Sequence, residues 1–82
     1  MFINKTPDGR NNRCGLCVAQ LRKAQKISQR ELAEHLQLLG LDVDKNAIQR
    51  IEAGKRFVTD IELTVLAQAL HCTVDTLLGS PP

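Results

Sequence analysis

The sequence has no tryptophan and no tyrosine, and its only aromatic side chains are Phe2 and Phe57. A core without aromatics has to be aliphatic, built from Leu, Ile, Val and Ala, which suits packed helices better than a sheet. No apolar run approaches the roughly 20 residues that a bilayer span needs. Residues 1–13 lack an apolar stretch of the signal-peptide kind. Three cysteines, an odd number, argue against a secreted disulfide framework. A cytoplasmic location away from membranes is expected. There is no strand-like alternation, internal repeat or low-complexity segment. No phosphate-cradling glycine loop and no nucleophile–base–orienter set is present, so neither an enzyme nor a cofactor is expected.

What the chain does have is one domain's worth of amphipathic residues. At 82 residues it is 43% hydrophobic and 24% charged. A chain of this size buries roughly 60–65% of its unfolded surface, too little for a second domain with a deep cleft. The net charge of +2 is unevenly spread. Residues 1–30 carry Lys5, Arg10, Arg13, Arg22, Lys23, Lys26 and Arg30 against Asp8 alone. Residues 31–53 are net acidic, and the pair Lys55–Arg56 follows them. This distribution suits either an unevenly charged solvated surface or a phosphate-facing edge.

Local signals divide the chain into an N-terminal arm over 1–12, a helical domain over 13–79 and a tail over 80–82. Pro7, Asp8, Gly9 and Asn11–Asn12 break any periodicity in the arm, which is read as mobile. A first helix runs from Cys14 to about Lys26, with Cys14, Val18 and Leu21 inward. Ser28-Gln29-Arg30-Glu31 is a capping box, with Ile27 placed to staple onto Leu32. The helix it opens turns Leu32, Ala33 and Leu36 inward and ends near Leu39, where Gly40 supplies a left-handed residue. Asp44 caps a third helix whose buried side is Ala47, Ile48 and Ile51 and which Gly54 ends. Thr59-Asp60-Ile61-Glu62 is a second capping box. Its helix turns Ile61, Val65, Leu66, Ala69 and Leu70 inward. Thr73 caps a last short helix with Val74, Leu77 and Leu78. The predicted fold is all-α, with five helices.

The third helix carries the informative chemistry. Its outward side chains are Lys45, Asn46, Gln49 and Arg50. Lys and Arg donate to guanine O6 and N7, while Asn and Gln pair with adenine N6 and N7. A single helix with such a face fits the major groove of duplex DNA, although any exposed helix carries polar residues.

The stretches Ile27-Ser28-Gln29-Arg30-Glu31-Leu32-Ala33, Ile48-Gln49-Arg50-Ile51-Glu52-Ala53-Gly54-Lys55-Arg56, Leu66-Ala67-Gln68-Ala69-Leu70 and Val74-Asp75-Thr76-Leu77-Leu78 resemble, in order and spacing, the Xre family. These are the helix-turn-helix domains of Cro and the lambdoid phage repressors. The resemblance covers about residues 14–79. It implies a five-helix lambda-repressor-like domain with the helix-turn-helix at the second and third helices, acting as a sequence-specific transcriptional regulator, a repressor. It implies base contacts from Lys45, Asn46, Gln49 and Arg50, and phosphate contacts from Gln29, Lys55 and Arg56. It also implies an ion pair between Arg22 and Glu52 that holds the first and third helices together. A homodimer on duplex DNA is expected, formed through the C-terminal helices or only on the DNA. The sequence departs from the family in three ways. The connection Gln37 to Val43 is about five residues longer than the common form. Asp44 stands where Ser or Thr is common. Lys26 and His71 replace glycines at the ends of the first and fourth helices, so those ends are strained or differently closed.

Cys14-Gly15-Leu16-Cys17 is a C-x-x-C, and Cys72 is the one further cysteine that could join it. The two readings are buried thiols acting as small hydrophobes and a metal or redox site. Core packing is preferred, because Cys14 and Cys72 match aliphatic core positions of the family. His35 is expected on an exposed helix face, and His71 at a helix end. The alternative function is an antitoxin or interaction module whose main partner is a protein, with Leu38–Val43 as the contact surface.

Overall fold

In a computed structural model, which describes residues 5–79, the chain forms five helices: α1 (Gly15–Ala24), α2 (Gln29–Leu38), α3 (Lys45–Glu52), α4 (Asp60–Ala69) and α5 (Val74–Leu77). The N-terminal ends follow the local signals closely. The Ser28 hydroxyl accepts from the Glu31 amide and the Glu31 carboxylate accepts from the Ser28 amide, both at 3.0 Å. Thr59 and Glu62 repeat this box at α4. Asp44 caps α3 through the Ala47 amide at 2.8 Å, and Thr73 caps α5 through Thr76. Each cap satisfies one of the amides that a helix start leaves without a partner.

The C-terminal ends share one device. After α1, α2, α3 and α4 the chain passes through a left-handed residue: Lys26, Gly40, Gly54 and His71, with φ of 59°, 94°, 77° and 57°. In each case the next residue's amide returns to a carbonyl five residues back: Ile27 to Arg22, Leu41 to Leu36, Lys55 to Arg50 and Cys72 to Ala67. This is the Schellman closure, which favours glycine because a Cβ crowds the left-handed region. Lys26 and His71 therefore carry backbone strain that Gly40 and Gly54 do not. We expect His71→Gly to raise stability by up to about 1 kcal/mol, since relief of strain is partly offset by the freer unfolded chain. The melting temperature should rise by a few degrees; an unchanged or lower value in thermal unfolding would show that His71 is held without strain.

The helices enclose an aliphatic core. Val18, Leu32, Leu36, Ile48, Leu66 and Leu77 have no exposed surface, and Cys14, Val43, Ile51 and Leu70 join them. α3 packs between α1 and α2, while α4 packs on α2 and α5. Two expectations about faces are corrected. Ile61 points outward and is 70% exposed. It precedes Leu66 by five residues, which places it about 140° round the helix from that buried position. Val43 belongs to the core, so the expected contact surface Leu38–Val43 is only partly a surface: Leu38 and Leu39 are exposed, whereas Leu41 is half-buried. The long α2–α3 connection is braced, because Gln37 donates to the Val43 carbonyl at 2.8 Å and the Leu41 amide returns to α2.

The expected arm falls partly outside the described residues, in 1–4. The segment reaching α1 does not stand apart from the domain. Asn12 is buried, and Asn12, Asn11 and Arg10 all bond to the end of α3. The physical reason is that α3 ends with unpartnered carbonyls, and this segment supplies donors for them.

Candidate nucleic-acid interface

The α3 helix runs Lys45–Glu52 between the N-cap Asp44 and the C-cap Ala53, within one residue of the predicted bounds. Ile48 and Ile51 anchor it in the core. The residues between them in the helical period necessarily face away. Lys45, Asn46, Gln49 and Arg50 are all exposed. Asn46, Gln49, Arg50, Ala53 and Lys55 line one shallow depression on this side. Among the described residues, none of the four outward side chains of α3 makes a hydrogen bond within the chain. Their donors and acceptors are therefore free for another molecule. Lys55 is exposed in the turn that follows.

The pose of this helix is set at its C-terminal end. Glu52 receives Arg22 from α1 through both carboxylate oxygens, at 2.7 and 3.0 Å. Both side chains are about nine-tenths buried. The remaining guanidinium nitrogen of Arg22 donates to the Ile27 carbonyl at 2.9 Å. Hydrogen bonding to Glu52 raises the Arg22 pKa above its already high value. Gln29, at the start of α2, also donates to Glu52 at 3.0 Å. One carboxylate thus ties together α1, α2 and α3, the ion pair expected from the family resemblance with Gln29 added to it. The Gln29 amide nitrogen keeps its second hydrogen for an outside acceptor.

The family resemblance assigns Arg56 to a phosphate. Within the domain its guanidinium lies bidentate on Glu62 at 3.1 and 2.8 Å. Glu62 is the capping-box carboxylate of α4, so the box and the ion pair share one group. Bonding to Arg56, followed by the Thr59 amide, holds the Glu62 pKa below the usual carboxylate value against the opposing effect of burial. Glu62 is fully committed inside the domain, and Arg56 braces the α3–α4 turn. The N-terminal charge surplus is likewise partly internal: of its seven cations, Arg22 is buried on Glu52, and Arg10 donates to the Glu52 carbonyl at 2.8 Å.

Three site residues escape the sequence reading. Asn12 donates to the carbonyls of Ile51 and Arg56 at 3.0 and 2.8 Å and accepts from the Gly15 amide at 2.8 Å. An Asn three residues before a helical amide is a capping signal that could have found Asn12. The long-range carbonyl partners of Asn12 and Arg10 have no signal in the sequence. Gly15 is the third. A Cβ there would fall on the Ile51 carbonyl oxygen, so glycine allows α1 to approach α3 this closely.

The cysteines are free thiols. Cys14 lies in the core, where burial pushes its pKa up to about 11. Cys17 donates to the Thr76 carbonyl at 3.2 Å, and burial raises Cys72. Among the described residues no three His, Cys, Asp or Glu side chains converge as metal ligands. His35 and His71 are exposed beside Leu38, Leu39, Gln68 and Ala69.

Comparison with known proteins bears on these elements. Residues 18–77 match the helix-turn-helix family. The chain belongs to that family. The turn is the α2–α3 connection, and α3 is its second helix. Two solved structures are similar to the chain. One is the P22 c2 repressor in complex with synthetic operator 9T, at 28% identity and a TM-score of 0.71, covering 83% of this chain and 96% of that one. The other is the restriction-modification controller protein C.AhdI from Aeromonas hydrophila, at 28% identity and a TM-score of 0.69, covering 79% and 91%. No curated protein sequence matches the chain. The lambda-repressor-like fold expected from the Xre-type resemblance is thus the observed one.

Proposed function

We propose that the chain is a sequence-specific DNA-binding transcriptional regulator, a repressor, that lays α3 in the major groove. The observation that carries this is the outward face of α3: Lys45, Asn46, Gln49 and Arg50 exposed, uncommitted and on a helix held rigidly from behind. These four read base edges. Lys55 and the start of α2 at Gln29 contact phosphates on either side. At that start the positive end of the helix macrodipole adds to the amide donors. Arg56 serves mainly as a brace, with one edge of its guanidinium toward the same backbone. Similarity to a repressor solved on a synthetic operator supports the reading. The active species is a homodimer on a pseudo-palindrome with half-sites about 34 Å apart, acting in the cytoplasm.

Selection of bound sequences from a random duplex pool tests this directly. The wild-type chain should enrich one symmetric site. Asn46→Ala and Gln49→Ala should each shift the enriched sequence and cost about 1–3 kcal/mol on the wild-type site. If neither variant alters the preferred sequence, α3 is not the reading element.

A further inference from the structure

The N-terminal segment has a role that the family's recognition helix does not by itself explain. A helix ends with carbonyls that lack intrahelical partners. At the end of α3 five consecutive or near-consecutive carbonyls point toward residues 10–12, and that segment meets each of them. Asn12 Nδ2 donates to the carbonyls of Ile51 and Arg56, Arg10 donates to that of Glu52, the Asn11 amide to that of Gly54 at 2.7 Å, and Asn11 Nδ2 to that of Lys55 at 3.1 Å. Asn12 is buried while it does so. The Arg10 side chain also lies over Gly54, where a Cβ would meet it at 2.7–3.0 Å. These bonds span 39 to 44 residues of sequence. They run across the turn that carries Lys55.

We infer that Arg10, Asn11 and Asn12 are positioning residues for DNA binding, forming a clamp that closes the C-terminal end of the recognition helix and presents the Gly54–Arg56 turn to a phosphate. The inference rests on the DNA-binding reading and deepens it. Arg22–Glu52 fixes where α3 sits on α1. The clamp fixes the backbone beyond that point, which Glu52 does not reach. Without it the last turn of α3 frays and Lys55 samples many positions. Binding then loses the phosphate contact while the base-reading face, one to two turns away, keeps its preference.

Asn12→Ser tests the clamp without changing charge. Serine can still accept from the Gly15 amide as a helix cap, but it cannot donate to both carbonyls. Arg10→Gln is a second variant in case the first folds poorly, because Arg10 is only half-buried. Three measurements are made on the full chain. Binding of the selected duplex should weaken about tenfold in Asn12→Ser. The slope of log K against log salt should become shallower by about 0.9, the value of one phosphate contact. The ranking of duplex sequences should stay as in the wild type. In the free protein, amide exchange at Gly54 and Lys55 should accelerate about tenfold more than exchange at Leu36 or Leu70 in the core. A structural role alone would speed all four amides equally and leave the salt slope unchanged, and that result overturns the inference. An altered sequence ranking overturns it too, because the disturbance would then lie on the reading face. If the wild-type chain selects no duplex, the DNA reading fails and the positioning role with it. The clamp itself fails if Gly54 and Lys55 exchange at wild-type rates in both variants.

Discussion

Gly15→Ala is expected to lower the melting temperature by roughly 12–24 °C. On an exposed helix surface the same substitution would stabilise by up to about 1 kcal/mol, because alanine is the better helix former. Here the sign reverses. The new methyl group would fall on the Ile51 carbonyl oxygen and within 2.6 and 2.7 Å of the Arg10 and Asn12 side chains. Arg10 could swing aside at the loss of its bond to the Glu52 carbonyl. The Ile51 carbonyl is backbone inside α3 and is already held by Asn12, so it has no room to yield. The remaining response is for α1 and α3 to separate. Forced overpacking of this kind costs about 1–3 kcal/mol. Loss of the surrounding bonds takes the total to about 3 kcal/mol, each unit being worth about 4–8 °C in a domain of this size. Thermal unfolding followed by circular dichroism measures it. A melting temperature at or above the wild-type value would mean that the two helices are not in backbone contact at this point.

Glu52→Ala should cost about 3–5 kcal/mol, the usual consequence of leaving a buried charge without its partner. Arg22 would keep one bond, to the Ile27 carbonyl, while its Nε and second terminal nitrogen would face a site with no acceptor. Gln29 would lose its partner as well. The size of this loss does not mean that the pair is the main source of stability. Desolvating both groups offsets most of their attraction, so the double variant Arg22→Met with Glu52→Leu should recover most of the lost stability. It should not recover DNA affinity to the same degree, because the charged group orients Gln29 and the end of α3 together. Chemical denaturation of Arg22→Met, Glu52→Leu and the double variant closes the cycle. If Glu52→Ala unfolds at the wild-type denaturant midpoint, the carboxylate is not what holds the three helices.

The same two substitutions mark the boundary between what sequence and tertiary structure each decide. Arg22 and Glu52 were paired from a family pattern, and the pair stands; its tie to Gln29 came only with the fold. Asp44, Ser28, Thr59 and Thr73 were legible as caps because a cap is a short-range bond between residues two or three apart. Gly40 and Gly54 were legible as helix ends for a similar reason, and Lys26 and His71 were found as strained substitutes at equivalent positions. The apolar period placed the buried faces of α2 and α3. It misplaced Ile61, which lies about 140° round α4 from the buried Leu66 and so faces outward.

Cation partners were the least legible feature. Seven cations against one acid in the first 30 residues suited either a solvated surface or a phosphate-facing edge. Folding turned Arg10 and Arg22 inward, and across the α3–α4 turn it gave Arg56 to Glu62. Composition counts charges but does not say which are already satisfied. The sequence by itself determined the helices, their ends and the residue types on the outward face of α3, since each depends on neighbours within about one turn. Only the tertiary structure decided the rest of how α3 is held, through Gly15, Asn12, Arg10 and the tie of Gln29 to Glu52. Those contacts join residues 23 or more positions apart, where no local rule links one partner to the other.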